Sequence, residues 1–129
     1  CPQVDEEYGG LGLDFSFGVI INEELERVGT SLVGVGLHND IVVPYIESFG
    51  SDEQKKRWLP GCITADVITG IAMTEPGTGS DLANVQTTAI RDGDHYIVNG
   101  QKTFITNGIN GNLFLVVVKT DPKAEPKHR

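Results

Sequence analysis

The sequence predicts an α+β fold: a helical N-terminal segment followed by an incomplete antiparallel β-domain. Three observations carry this. Apolar residues in the first half recur every three or four positions, and after residue 66 they recur every two. The dipeptides Asp92-Gly93 and Asn99-Gly100, which favour tight hairpins, punctuate the second half. Helices first and strands afterwards differs from the βαβ alternation of a doubly wound sheet. The change of period places a domain boundary near Thr64–Asp66, with 1–65 as part of a helical domain and 66–129 as the first part of a β-domain.

From Phe17 to about Leu37, Ile21, Leu25, Val28, Leu32 and Val35 form one helical face, and Glu23 and Arg27 are spaced for an i,i+4 pair on the wet side. Asp14 or Ser16 can cap its start. A second short helix carries Ile41, Val42, Tyr45, Ile46 and Phe49, with Pro44 suited to a first turn and Gly50 as its stop. Ser51 and Gln54 form a capping-box pair for a third helix through Trp58 and Leu59, which Pro60 is expected to end. The expected strands are Asp66–Met73, Asn84–Ile90, Asp94–Val98, Gln101–Thr106 and Leu113–Lys119, with Asn107–Gly111 as a loop. Hairpins without closing partners leave open sheet edges, which natural proteins avoid, so more protein is expected beyond Arg129. The absence of a starting Met and the Pro-Lys-His-Arg end are likewise expected of a piece of a longer protein.

Composition narrows the function classes. The chain has 129 residues, 39 % of them hydrophobic, enough to build a core. Ten Lys+Arg against eighteen Asp+Glu give a net charge of −8, and no basic stripe is available to neutralise phosphates. Nucleic acid is therefore not an expected partner, and no run is long enough to span a bilayer. Cys1 and Cys62 are far apart and lack zinc-ligand spacing, so no metal site is expected. Cys62 reads as structural, the three histidines as surface or capping residues, and Trp58 as packing.

The densest chemical signal is Thr74-Glu75-Pro76-Gly77-Thr78-Gly79-Ser80-Asp81, directly after an expected strand. Pro and Gly turn the chain and leave backbone N–H groups and the Thr78 and Ser80 hydroxyls free for an anion or a polar ligand edge. A bare Gly-rich loop is more often an ordinary surface turn. This one is neither a Walker loop nor a dinucleotide fingerprint.

Taken with its flanks, the loop resembles a family signature. Ile71-Ala72-Met73-Thr74-Glu75-Pro76-Gly77-Thr78-Gly79-Ser80-Asp81 is similar to the signature of acyl-CoA dehydrogenases, as is Phe104-Ile105-Thr106-Asn107-Gly108 after Val98-Asn99-Gly100-Gln101-Lys102. Tyr8-Gly9-Gly10-Leu11-Gly12 and Phe49-Gly50-Ser51-Asp52-Glu53-Gln54-Lys55-Lys56, followed by Leu59-Pro60, fit the same family in the same order.

The resemblance implies the end of a helical N-terminal domain and the start of a middle β-domain, with a C-terminal four-helix bundle outside this chain. It implies FAD as cofactor and oxidation of acyl-CoA thioesters to trans-2-enoyl-CoA, a glutamate taking the α-proton while the β-hydride goes to flavin N5. Electrons would leave through electron-transferring flavoprotein. Ile71, Ala72, Met73, Thr74, Glu75, Pro76, Gly77, Thr78, Gly79 and Ser80 would line the flavin and its pyrophosphate. Backbone around Met73 and Thr74, with the Thr74 hydroxyl, would meet the pyrimidine side of the ring. Ser80 would also contact substrate, and Phe104, Ile105 and Thr106 would pack on the ring with the Thr106 hydroxyl near N5.

Fixed donors aimed at N1–C2=O and N5 stabilise the reduced flavin, and a β-branched Thr on a strand holds such a donor stiffly. No residue of this chain takes the place of the catalytic base, and Glu75 reads as a turn-stabilising carboxylate. Ile71 and Phe104 stand where the family often has an aromatic and a Trp; Met73 with Phe104 resembles the long-chain branch. A homo-oligomer, tetramer or dimer, is implied, in the bacterial cytoplasm first or else the mitochondrial matrix. An acyl-CoA oxidase and a non-catalytic acyl-CoA-binding relative are the alternatives.

Overall fold

The structure, a computed structural model, describes residues 1–29 and 34–124. In chain order these form α1 (Phe15–Arg27), α2 (Val43–Phe49), α3 (Asp52–Thr64), β1 (Thr69–Ala72), β2 (Thr88–Asp92), β3 (His95–Asn99) and β4 (Leu113–Val116). A π-helical segment Leu37–Val42 leads into α2, and 3-10 turns occupy Glu6–Tyr8 and Leu82–Asn84. β1 pairs with β4 and β2 with β3, as two two-stranded sheets. The chain divides into two compact units, Cys1–Gly70 with Asn107–Phe114, and Ile71–Thr106 with Leu115–Arg129.

The first unit is built on Val4, Tyr8, Val43, Ile46, Leu59 and Cys62, with Trp58, Ile63, Val67 and Leu113 packed against them. The Ser51/Gln54 capping box is present at the start of α3, satisfying two orphan donors reciprocally. Asp14, rather than Ser16, caps α1, its carboxylate accepting from Ser16 N–H at 2.8 Å. Glu23 and Arg27 do pair, at 3.0 Å, but both are well exposed and the bond is worth about 0.3–0.5 kcal/mol.

Two helix boundaries differ from expectation. α1 stops at Arg27 rather than near Leu37, because Gly29 turns left-handed at φ +68° directly after the Val28 cap. Leu32, expected on its apolar face, lies outside the described residues. Pro60, expected to end α3, sits inside it. Leu59 and Cys62, on either side of Pro60, are 0 % and 2 % exposed, so continuing the helix keeps both anchors in the core. That burial outweighs the backbone bond the proline ring removes.

In the second unit the antiparallel hairpin β2–β3 forms as expected, with Asp92 opposite His95. Its two loop residues are Gly93 and Asp94, one position later than the Asp92-Gly93 dipeptide suggests, with Gly93 supplying φ +65° at the first loop position. Asn99-Gly100 makes no second hairpin, and Gln101–Thr106 is not a strand. Gly100 instead lies against Thr87, where a Cβ would come within 2.2 Å of the Thr87 hydroxyl. Residues 84–87, expected in a strand, hold a 3-10 turn and extended backbone that reaches into the Glu75 carboxylate.

Candidate functional site

The Gly-rich loop is closed at its base by two backbone bonds, Glu75 N–H to Thr78 O at 2.8 Å and Thr78 N–H to Glu75 O at 3.1 Å. Pro76 and Gly77 fill the tip. Pro pre-sets the φ of the first tip position, and neither Gly77 nor Gly79 is left-handed. What the glycines supply is open space: a Cβ at either would meet nothing within 4 Å. The Thr78 hydroxyl, expected to be free for a ligand, instead donates to Asn84 O at 3.1 Å and ties the far side of the loop down.

Beneath the loop lies a carboxylate with both oxygens engaged. Glu75, 6 % exposed, accepts at Oε1 from Thr87 N–H (2.9 Å), the Thr87 hydroxyl (2.5 Å) and Lys102 Nζ (2.9 Å), and at Oε2 from Gln86 N–H (2.6 Å). The Thr87 hydroxyl bond above all, opposed by burial and helped by Gln86, Lys102 and the Thr87 amide, holds its pKa down to about 2. Such a group stays ionised and is a scaffold rather than a proton acceptor. Lys102 also donates to Met73 O at 3.0 Å, and Thr103 N–H donates to Thr74 O at 3.0 Å. The two motif segments, 71–80 and 104–106, are thereby tied together within one unit.

The predicted residues fall into three groups. Ile71, Ala72, Glu75 and Thr78 are buried, and Met73, Thr74 and Ile105 are half-buried. Pro76, Gly77, Gly79, Ser80, Phe104 and Thr106 are exposed, Phe104 at 93 %. Phe104 is also left-handed at φ +54°, a strained conformation for an aromatic residue that clusters at functional sites. The hydroxyls of Thr74, Ser80 and Thr106 have no hydrogen-bond partner among the described residues. Thr106 does not lie on a strand, so its stiffness is that of its own β-branched side chain and not of a ladder. Three unpaired hydroxyls, an exposed ring and a glycine-opened loop are a donor set that fits a flat, hydrogen-bonding, phosphate-bearing cofactor.

Two polar residues were missed in the sequence. Lys102, which closes the Val98–Lys102 motif but had no expected role there, and Thr87 bracket Glu75, and only their meeting marks them. His38, expected as a surface or capping residue, is instead a three-way link in the first unit. Nδ1 lies 3.3 Å from the Thr69 N–H, which can only donate, and 2.9 Å from the Thr69 hydroxyl, while Nε2 lies 2.9 Å from Cys62 O, the set of contacts that an Nε2–H tautomer completes. Cys62 is structural as expected, its thiol pushed up to about 11 by burial. No group of three or more metal-ligating side chains occurs among the described residues.

Comparison with known proteins decides the family. The model of the acyl-CoA dehydrogenase N-terminal domain matches residues 1–66, and that of the acyl-CoA dehydrogenase middle domain matches 70–129. The chain belongs to the acyl-CoA dehydrogenase family. It is 44 % identical over 126 residues to the mitochondrial long-chain specific acyl-CoA dehydrogenase of Sus scrofa, covering 97 % of this chain and 29 % of that protein. The crystal structure of acyl-CoA dehydrogenase from Geobacillus kaustophilus superposes with a TM-score of 0.93 at 69 % identity, over 99 % of this chain and 34 % of that one. A glutaryl-CoA dehydrogenase from Mycobacterium smegmatis, solved with FADH2, matches with a TM-score of 0.63 at 39 % identity, over 65 % of this chain and 22 % of that one. The chain thus spans about a third of the acyl-CoA dehydrogenases it matches.

Proposed function

We propose that the full-length protein is an FAD-dependent acyl-CoA dehydrogenase that converts acyl-CoA thioesters to trans-2-enoyl-CoA, and that this chain supplies flavin-facing segments but not the base. The observation that supports the reading is the tie between Met73-Thr74-Glu75 and Lys102-Thr103, which joins the two motif segments within one unit while the Thr74, Ser80 and Thr106 hydroxyls have no partner among the described residues. When bound, FAD supplies the two-electron acceptor for the hydride leaving the β-carbon. Thr74 and Thr106 offer hydroxyl donors to the ring's carbonyl edge and N5, where electron density grows on reduction. Phe104 offers an exposed aromatic face, and the exposed Gly77, Gly79 and Ser80 offer N–H groups to the pyrophosphate. Ser80 is assigned to the boundary between cofactor and acyl-CoA.

Electron-transferring flavoprotein as acceptor, a homotetramer or dimer, and a bacterial cytoplasmic or mitochondrial matrix location belong to the same reading. Among the described residues no helix is long and apolar enough to cross a membrane. Long-chain substrates are favoured by Met73 and Phe104. The test is the full-length protein itself. It should purify yellow, bleach anaerobically with acyl-CoA, and reoxidise with an acceptor dye far faster than with air. A colourless protein, or one that acyl-CoA does not bleach, removes the reading; fast reoxidation by air with product bound makes it an oxidase.

A further inference from the structure

We propose that Lys102 is a positioning residue of this site: by pinning the Met73 carbonyl it aims the Thr74 N–H and hydroxyl at the flavin. The inference rests on the flavin reading above. Lys102 Nζ has two acceptors, Met73 O at 3.0 Å and Glu75 Oε1 at 2.9 Å, and its side chain is only 11 % exposed. Glu75 does not depend on it, since Thr87 and Gln86 already give that carboxylate three further donors. Met73 O has no other partner among the described residues. Lys102 therefore matters more to the carbonyl than to the carboxylate.

The peptide plane carries this to the site. No cis peptide occurs among the described residues, so the Met73–Thr74 bond is trans and its C=O and N–H point in opposite directions. With the carbonyl held on Lys102, the Thr74 N–H is turned to the other side, where it meets no acceptor among the described residues. The next plane is fixed likewise: Thr74 O accepts from Thr103 N–H at 3.0 Å while Glu75 N–H reaches Thr78 O at 2.8 Å. Thr74 is clamped on both flanks, and its free N–H and hydroxyl are a preorganised donor pair. Lys102 itself touches neither substrate nor the reacting atoms. It acts through Met73.

The experiment compares three full-length holoenzymes: wild type, Lys102→Met and Thr87→Val. Thr87→Val removes the hydroxyl bond to Glu75 but leaves Lys102 on Met73, so it measures damage to the network alone. Lys102→Met should weaken FAD binding at least about tenfold and shift the flavin absorption bands, whereas Thr87→Val should lower Tm without either change. Wild-type affinity and spectrum in Lys102→Met overturn the proposal. So does a Thr87→Val variant that loses FAD as readily, since the network would then act through stability only. If Lys102→Met does not fold, Lys102→Arg is read by the same criteria, because the longer planar fork keeps the charge beside Glu75 while moving the donor away from the position the ammonium holds on Met73 O. A wild-type protein without FAD removes the flavin reading itself, a separate outcome.

Discussion

The Thr87 hydroxyl donates to Glu75 Oε1 at 2.5 Å, and both residues are buried, at 3 % and 6 % exposure. This short bond is the largest influence holding the Glu75 pKa at about 2 against an ordinary 4.5. A carboxylate depressed on folding stabilises the native state above its unfolded pKa, and that stability is lost as pH falls through the folded value. The Glu75 contribution is thus complete above about pH 4.5 and disappears toward pH 2. Thr87→Val should move the acid-unfolding limb to higher pH, followed by far-UV circular dichroism. An acid limb that superposes on wild type would show that the hydroxyl is not what holds the carboxylate ionised.

His38 bridges Cys62 O and the start of β1, with Nδ1 accepting from the Thr69 N–H and Nε2 facing the Cys62 carbonyl. Its two-dimensional 15N ring spectrum should show the Nε2–H tautomer. His38→Leu removes the acceptor of the Thr69 N–H and takes from Cys62 O its shortest contact, leaving it Ala65 N–H at 3.4 Å and the Cys1 thiol at 3.6 Å, and should cost about 1–3 kcal/mol in urea unfolding. His38→Asn, which retains an acceptor near the Nδ1 position, should recover part of the loss. Equal losses in both variants would mean that the Thr69 contact contributes little.

Gly100 approaches Thr87 so closely that a Cβ would lie 2.2 Å from its hydroxyl and 2.6 Å from its Cα. Gly100→Ala should therefore destabilise by about 1–3 kcal/mol, an overpacking cost. Because part of the clash is with the Thr87 backbone, Thr87→Ser should not rescue it. Rescue in the double variant would place the clash on the side chain alone.

Pro60 is exposed within α3 and denies Lys56 O its helical donor. Pro60→Ala should restore that bond and raise stability by about 1 kcal/mol or more, seen as a higher Tm. A fall in Tm would indicate that Pro60 itself is required for Leu59 and Cys62 to pack together.

How much of this was legible depended on the range of each interaction. The Ser51/Gln54 capping box, the Asp14 cap, Pro44 at the start of α2 and the β2–β3 hairpin are local, and each follows from residues within four positions. The segments 71–80 and 104–106 were legible as ordered family motifs, and the proposed site is built on them. What misled was local chemistry overruled at a distance. Asn99-Gly100 favours a hairpin, but here the glycine serves the close approach to Thr87. Pro60 disfavours a helix interior, but two buried neighbours outweigh it.

The amino-acid sequence alone determined the α+β order, the caps and the family signature, because these rest on periodicity and on bonds between near neighbours. The tertiary structure alone decided that Lys102 serves Met73 as well as Glu75, that Thr87 holds that carboxylate's pKa down, and that His38 staples β1 to α3. Those roles join residues 12 to 31 positions apart, and a hydrogen bond between them exists only once the chain has brought donor and acceptor together and excluded the water that would otherwise satisfy both.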